Sequence, residues 1–174
     1  MSGSAARFNV ARMTSSATPP IRPALTLSTV EWDHPDAVTL REEMAAEVGP
    51  RYAALARALP TKPNVVDPAT VHRTFVVYSD GPAGHAAVRW NAGELELKRM
   101  FVRPEHRGSG AASLLLAAAE DAARELELPR LILQTGHLQP EAVRFYERSG
   151  YQRIPIFPPY EVLPRSNCFA KRLR

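Results

Sequence analysis

The sequence predicts an α/β domain built on a mixed, mostly antiparallel sheet of about seven strands. Helices cover both faces, and one parallel strand pair lies near the centre. Three observations predict this. Seven short apolar or alternating runs lie between residues 25 and 173. Two turn sequences, SDGPAG at 79–84 and NAG at 91–93, join three of these runs as hairpins. A long Ala/Leu-rich segment then separates the run ending at 102 from the run at 131–135. A strand–helix–strand passage within one sheet is a right-handed parallel crossover.

In chain order, LTLSTVEW (25–32) alternates Leu25, Leu27 and Thr29 against Thr26, Ser28 and Val30, a strand pattern. In the next stretch Asp33 or Asp36 can cap, Pro35 suits a first turn, and Ala37, Leu40, Met44 and Val48 recur at helical spacing. Gly49-Pro50 is read as the end of that helix, residues 51–59 as a second short helix, and the Pro-rich 60–70 stretch as a loop. Strands follow at 74–79, 85–90 and 94–102, then a helix over about 109–127 and a strand at 131–135. PEAVRFYERSG (140–150) is a helix closed by Gly150, 151–157 a strand interrupted by Pro155, and 166–173 a last strand. Residues 1–24, with TPPIRP at 18–23, read as a disordered N-terminal arm, leaving 25–174 as a single domain. Met13 is a second candidate start.

Composition narrows the functional classes. With 45% hydrophobic and 23% charged residues the balance is that of an ordinary globular protein, and no apolar run approaches the roughly 18 residues a membrane span needs. Cys168 is the single cysteine, so no internal disulfide can form and a reducing compartment, the cytoplasm, is expected. Cys168 itself reads as a small buried strand residue. The five histidines show no metal-ligand spacing, so no metal is expected. The net charge of +4 is compatible with an anionic ligand. The basic clusters Lys98-Arg99 and Lys171-Arg172 lack the interleaved aromatics of a nucleic-acid module and read as solvated surface. Neither nucleic acid nor membrane is an expected partner. The oligomeric state stays open, a homodimer included.

Two stretches carry more specific information. In ELELKRMFV (94–102) a strict period of two would place Arg99 in a row with Leu95 and Leu97. One extra residue near Lys98-Arg99 instead puts Leu95, Leu97, Met100 and Val102 on one face, which is a β-bulge. The alternative is a strand wet on one side with no slip. A bulge would bend the strand away from its parallel neighbour at 131–135 and leave backbone groups for an extended ligand to pair with. In RPEHRGSGAASLLL, Arg107, Gly108, Ser109 and Gly110 stand where a strand gives way to a helix. Unpaired first-turn N–H groups, the helix dipole, glycines that allow close approach and a permanent cation make a plausible seat for a diphosphate. A glycine-rich capping turn is the plainer reading of the same residues.

A wider resemblance favours the diphosphate seat. RMFVRPEHRGSGAASLLL resembles the acyl-CoA signature of the GNAT acetyltransferase superfamily, Arg/Gln-x-x-Gly-x-Gly/Ala, carried by Arg107, Gly110 and Ala112. QPEAVRFYERSGYQRI (139–154) is similar to the second signature of that family. The resemblance covers roughly residues 25–173, and the TGHLQPEAVRFYERSGYQRIPIFPPY version looks like one bacterial branch. It departs at Gln139, where many members carry Asn seven residues before the tyrosine; Gln offers the same amide with longer reach.

The resemblance implies an acetyl-CoA-dependent N-acetyltransferase acting on the primary amine of a small molecule, such as an amino acid or peptide end. A CoA-binding sensor that has lost catalysis is the alternative. Met100, Phe101 and Val102 are implied to flank the pantetheine arm, and Arg107, Gly108, Ser109, Gly110, Ala111 and Ala112 to hold the diphosphate. Gln139 and Tyr146 complete the cofactor-binding set. Tyr146 is the candidate general acid for the leaving thiolate and Glu96 the candidate base, directly or through water. Arg41, Arg51, Tyr52, Arg99, Phe157 and Tyr160 are candidates for the acceptor side, where arginines suit a carboxylate.

Overall fold

A computed structural model describes residues 24–58, 65–163 and 165–173. The arm assigned to the N-terminus lies outside the described residues, apart from Ala24. Among these residues seven strands and three α-helices follow in the order β1 (Thr26–Val30), α1 (Pro35–Ala58), β2 (Val71–Tyr78), β3 (Pro82–Asn91), β4 (Glu94–Val102), α2 (Ala111–Glu125), β5 (Arg130–Thr135), α3 (Pro140–Arg148), β6 (Gln152–Ile154) and β7 (Asn167–Arg172). The strands form one sheet in the order β1-β2-β3-β4-β5-β7-β6. Only β4 and β5 pair in parallel, joined through α2 as the crossover; every other neighbour is antiparallel.

The expected fold class is the observed one, with one helix fewer. Residues 51–58 continue α1, and Pro50 lies inside it. A proline in a helix interior removes a hydrogen bond and typically costs about 3 kcal/mol. Here the turns after it are tied down by tertiary contacts. Arg51 pairs with Glu141 of α3 at 2.6 Å, and the Tyr52 hydroxyl accepts the Leu138 N–H at 2.8 Å. Local propensity is overridden by docking. The strand expected over 151–157 is confined to Gln152–Ile154, because Pro155 cannot extend the ladder. Gly150 ends α3 with a left-handed φ of +87°, a conformation that glycine adopts freely.

The main core lies between the sheet and helices α2 and α3. It joins Leu95, Leu97 and Val102 of β4 to Leu115, Ala119 and Ala122 of α2, with Phe169 of β7. Alanines on α2 let it sit close to the sheet. Glu120, also on that buried face, is neutralised by Lys171 Nζ at 2.9 and 3.0 Å. On the opposite face of the sheet a second cluster joins Ala37 and Leu40 of α1 to Val76 and Phe101. The expected burial of Cys168 on the last strand holds. No helix among the described residues is long and apolar enough to cross a membrane.

The expected bulge is present. His85 pairs with Phe101 and Ala87 with Lys98, so Arg99 and Met100 together oppose Ala86. Arg99 carries the slip with φ +54°, a left-handed conformation unusual for a residue with a side chain. Leu95, Leu97, Met100 and Val102 consequently share the α2 side, while Phe101 faces α1. Beyond the bulge β3 and β4 lie very close. A Cβ on Gly84 would stand 2.8 Å from the Phe101 carbonyl oxygen, which accounts for glycine there. The parallel ladder to β5 consists of Glu96↔Ile132 and Leu97↔Leu133 and stops where the bulge begins.

Candidate active site

Where β4 and β5 part, a cavity of about 500 Å³ opens. Its walls are α1 from Met44 to Ala56, Leu97–Met100 of β4, the stretch 134–139, Ala142 and Tyr146 of α3, and Leu163, Arg165 and Ser166 before β7. A Cβ on Gly136 would overlap the Tyr52 phenol, so that glycine is what lets α1 close over the loop. The charged side chains on this wall, among the described residues, are all basic: Arg51, Lys98, Arg99 and Arg165.

Tyr146 projects from α3 into the cavity's inner end. It is buried, packed edge-on against Phe145 and Tyr151 and at a tilt against Phe169, and its hydroxyl donates to Met100 Sδ at 3.7 Å. Burial holds its phenol above the usual range, so the hydroxyl keeps its proton. Its partner on the bulged strand is a sulfur, a weak acceptor that a stronger one can replace.

Glu96 does not line the cavity. It is fully buried beneath it, the centre of a charged cluster. Oε2 accepts from Arg89 Nε at 2.9 Å and Asn91 Nδ2 at 3.2 Å, while Oε1 accepts from the Tyr160 hydroxyl at 2.6 Å. Lys98 Nζ stands 3.6 Å from Oε1 and donates to the Tyr160 oxygen at 2.8 Å. The second Arg89 donor reaches that oxygen at 3.1 Å. Tyr160 is wholly buried, and burial beside Glu96 pushes its hydroxyl well above the phenol range. Lys98, read from sequence as solvated surface, is buried on the cavity wall. Desolvation lowers its ammonium to about 8, opposed by Glu96 and reinforced by Arg89 and Arg99.

The bulge has a support that the sequence reading missed. His85 is fully buried, and its Nδ1 lies 2.8 Å from the Arg99 carbonyl oxygen. Its Nε2 lies 3.3 Å from Arg41 Nη1, which can only donate. Nε2 is therefore the acceptor and Nδ1–H the donor. The carbonyl exposed by the slip is satisfied, and the strand is held bent. Burial, with Arg41 and Arg99 nearby, lowers His85 to about 4 although its bond to the Arg99 carbonyl opposes this. An unfolded chain binds this proton near pH 6.5. The stabilisation is therefore complete above about pH 6.5 and is lost as pH falls through about 4, an effect of order 3 kcal/mol. Urea midpoints measured from pH 7 to pH 4 should fall accordingly. His85→Asn, which keeps a donor near the carbonyl but does not titrate, should flatten that slope.

The glycine-rich loop leads into α2. Gly108 and Gly110 have φ of +77° and +98°, and a Cβ on Gly108 would meet nothing within 4 Å, so the loop leaves open space above its backbone. Ala111 N–H is taken by Ser109 Oγ at 3.3 Å. Arg107 bonds the Val102 carbonyl at 3.1 Å and pairs with Glu47 of α1 at 2.6 Å.

Of the residues named from sequence, Arg51, Tyr52, Arg99, Met100, Gln139 and Tyr146 meet on the cavity wall. Phe101, Val102 and the 107–112 loop lie outside that lining, on the continuation of β4. Three acceptor-side candidates fall elsewhere. Arg41 stacks on Trp32, 3.7 Å from its ring centre, and serves His85; Phe157 borders a separate cavity of about 180 Å³; Tyr160 belongs to the Glu96 cluster. Sequence reasoning missed Lys98, Arg89, Leu163, Arg165 and Ser166. The available signal was Glu96 and Lys98 at a spacing of two in a strand whose other face is core.

Comparison with known proteins agrees with this geometry. The family model described as "Acetyltransferase (GNAT) family" matches residues 32–151. The chain is 37% identical over 90 residues to the IAA acetyltransferase of Azospirillum brasilense, an alignment covering 52% of this chain and 59% of that protein. It thus spans about three fifths of the length of that relative. A provisionally named acyl-CoA N-acyltransferase structure from Klebsiella pneumoniae superposes with TM-score 0.68 at 28% identity, covering 86% of this chain and 98% of that one. A provisionally named streptothricin acetyltransferase from Bacillus anthracis, solved with acetyl coenzyme A, shares the fold at 19% identity and TM-score 0.53, covering 60% and 64%. With its parted β4–β5 pair, bulged strand and glycine-rich loop, the chain belongs to the GNAT acetyltransferase family.

Proposed function

We propose that the protein is a cytoplasmic acetyl-CoA-dependent N-acetyltransferase whose acceptor is a small primary amine bearing a carboxylate. The carrying observation is the cavity at the parted strands, with a protonated tyrosine at one end and only cationic charge among the described residues of its wall. Arginine and lysine suit a carboxylate and disfavour a polycation. The single buried thiol suits a reducing compartment.

The residues present fit the cosubstrate. The open backbone at Gly108 and the first turn of α2 would hold the diphosphate, with Arg107 turning to it from Glu47. The edge of β4 beyond Leu97, where the ladder to β5 stops, would lie along the amide-bearing arm, and Gln139 lies on the same wall. Acetyl-CoA supplies an activated carbonyl. A backbone N–H at Met100 or Phe101 acts as oxyanion donor, and the Tyr146 hydroxyl protonates the departing sulfur.

Acetyl-CoA at 100 times its Kd should stabilise the fold by about 2.7 kcal/mol, read as a rise in Tm. Thiol release is then followed across a panel of amines with and without a carboxylate. No Tm rise at millimolar acetyl-CoA refutes the reading. A rise without turnover of any amine leaves only the sensor, and preference for polycationic amines refutes the acceptor class.

A further inference from the structure

The acetyl-transfer reading leaves one step without a group: an amine arrives as an ammonium and must lose a proton before it attacks. Glu96 is fully buried, off the wall of this cavity. Lys98 does, and its Nζ is the nitrogen that links the cavity wall to the buried cluster.

We propose that Lys98 is the catalytic proton acceptor, and that Tyr160 and Glu96 are positioning residues that hold its nitrogen and stabilise the charge it gains. The balance is simple. The acceptor ammonium gives one proton to the Nζ lone pair, leaving a neutral amine to attack and a Lys98 ammonium. That ammonium donates to the Tyr160 oxygen, 2.8 Å away, and lies 3.6 Å from Glu96 Oε1. After turnover the proton leaves by the cavity.

Three features support this role over a structural ion pair. Lys98 is aimed by a built arrangement, since Tyr160 itself is fixed by Glu96 at 2.6 Å and Arg89 at 3.1 Å. The charged and titratable groups around Nζ are of mixed sign: Glu96 favours the ammonium, whereas Arg89 of β3 and Arg99 of β4 oppose it, with the Cys168 thiol of β7 also near. Burial shifts the balance further towards the neutral amine, so that Lys98 titrates near 8, a useful value for a base at neutral pH.

The chain contains only Lys62, Lys98 and Lys171, which makes the test direct. Trace acetic anhydride is applied to the wild-type protein across a pH series, with free lysine as internal standard, and each lysine is quantified by mass spectrometry. Lys98 should acquire label with a midpoint near 8, below that of the standard, and saturating acetyl-CoA should protect it. A Lys98 that stays unlabelled, or titrates with the standard, overturns the proposal. In the thiol-release assay, Lys98→Arg and Lys98→Met should each lose about 100-fold or more in kcat at pH 7 with the acetyl-CoA-induced Tm shift retained. The loss should shrink as pH rises and the acceptor deprotonates unaided. Wild-type turnover in Lys98→Arg, or the same loss at every pH, overturns the role of Lys98 alone. Failure of the wild type to turn over any amine overturns the acetyl-transfer reading and this proposal with it.

Discussion

Tyr146→Phe is expected to lower kcat by 10²- to 10⁴-fold while leaving the acetyl-CoA-induced Tm rise in place. The expectation rests on the hydroxyl doing little for the fold. It donates only to the Met100 thioether at 3.7 Å, a weak bond, while the ring makes the aromatic packing that Phe preserves. Burial keeps the phenol protonated across the whole working range. In water the thiol is the stronger acid of the two, so the phenol acts by holding its proton against the sulfur as negative charge develops there in the transition state. The discriminating measurement is the pair of numbers, turnover and ligand-induced stabilisation. Loss of both would make Tyr146 a packing residue, and retention of full turnover would place the acid elsewhere.

Glu96→Ala is expected to destabilise the fold by about 3–5 kcal/mol, the usual consequence of removing one partner from a buried charged cluster. The carboxylate accepts from Arg89, Asn91 and Tyr160 and lies beside Lys98. Its removal strands the Arg89 guanidinium in low dielectric and takes away the charge that favours the Lys98 ammonium. Lys98→Met in the Glu96→Ala background should recover part of the loss by removing a buried amine that has lost its anionic partner. Chemical denaturation of the single and double variants measures this coupling. A Glu96→Ala protein of wild-type stability would show the cluster to be solvated, which its burial contradicts.

How much of this was legible in the sequence varies with the range of the interactions involved. The bulge was legible because the break in alternation at Lys98-Arg99 is a local signal, and the parted parallel pair followed from it. The glycine-rich loop was legible for the same reason. Continuation of α1 through Pro50 was not, since the contacts that carry it come from Leu138 and Glu141, far along the chain. The same holds for the charged cluster. Lys98 and Glu96 meet Tyr160 from 62 and 64 residues away, so a strand pattern alone leaves both looking like surface charges. Tyr160 was selected for the right neighbourhood and the wrong neighbour, because burial at the end of a Pro-rich loop has no sequence period.

The short β4–β5 ladder has a consequence for the protein's life in the cell. Strands β1–β4 and β5–β7 form two slabs held at the sheet by two rungs, Glu96↔Ile132 and Leu97↔Leu133. A guest lying in the seam acts as mortar between the slabs, so part of the fold's cohesion is borrowed from whatever fills it. In the cell, occupancy of the seam and the protein's resistance to opening would rise together.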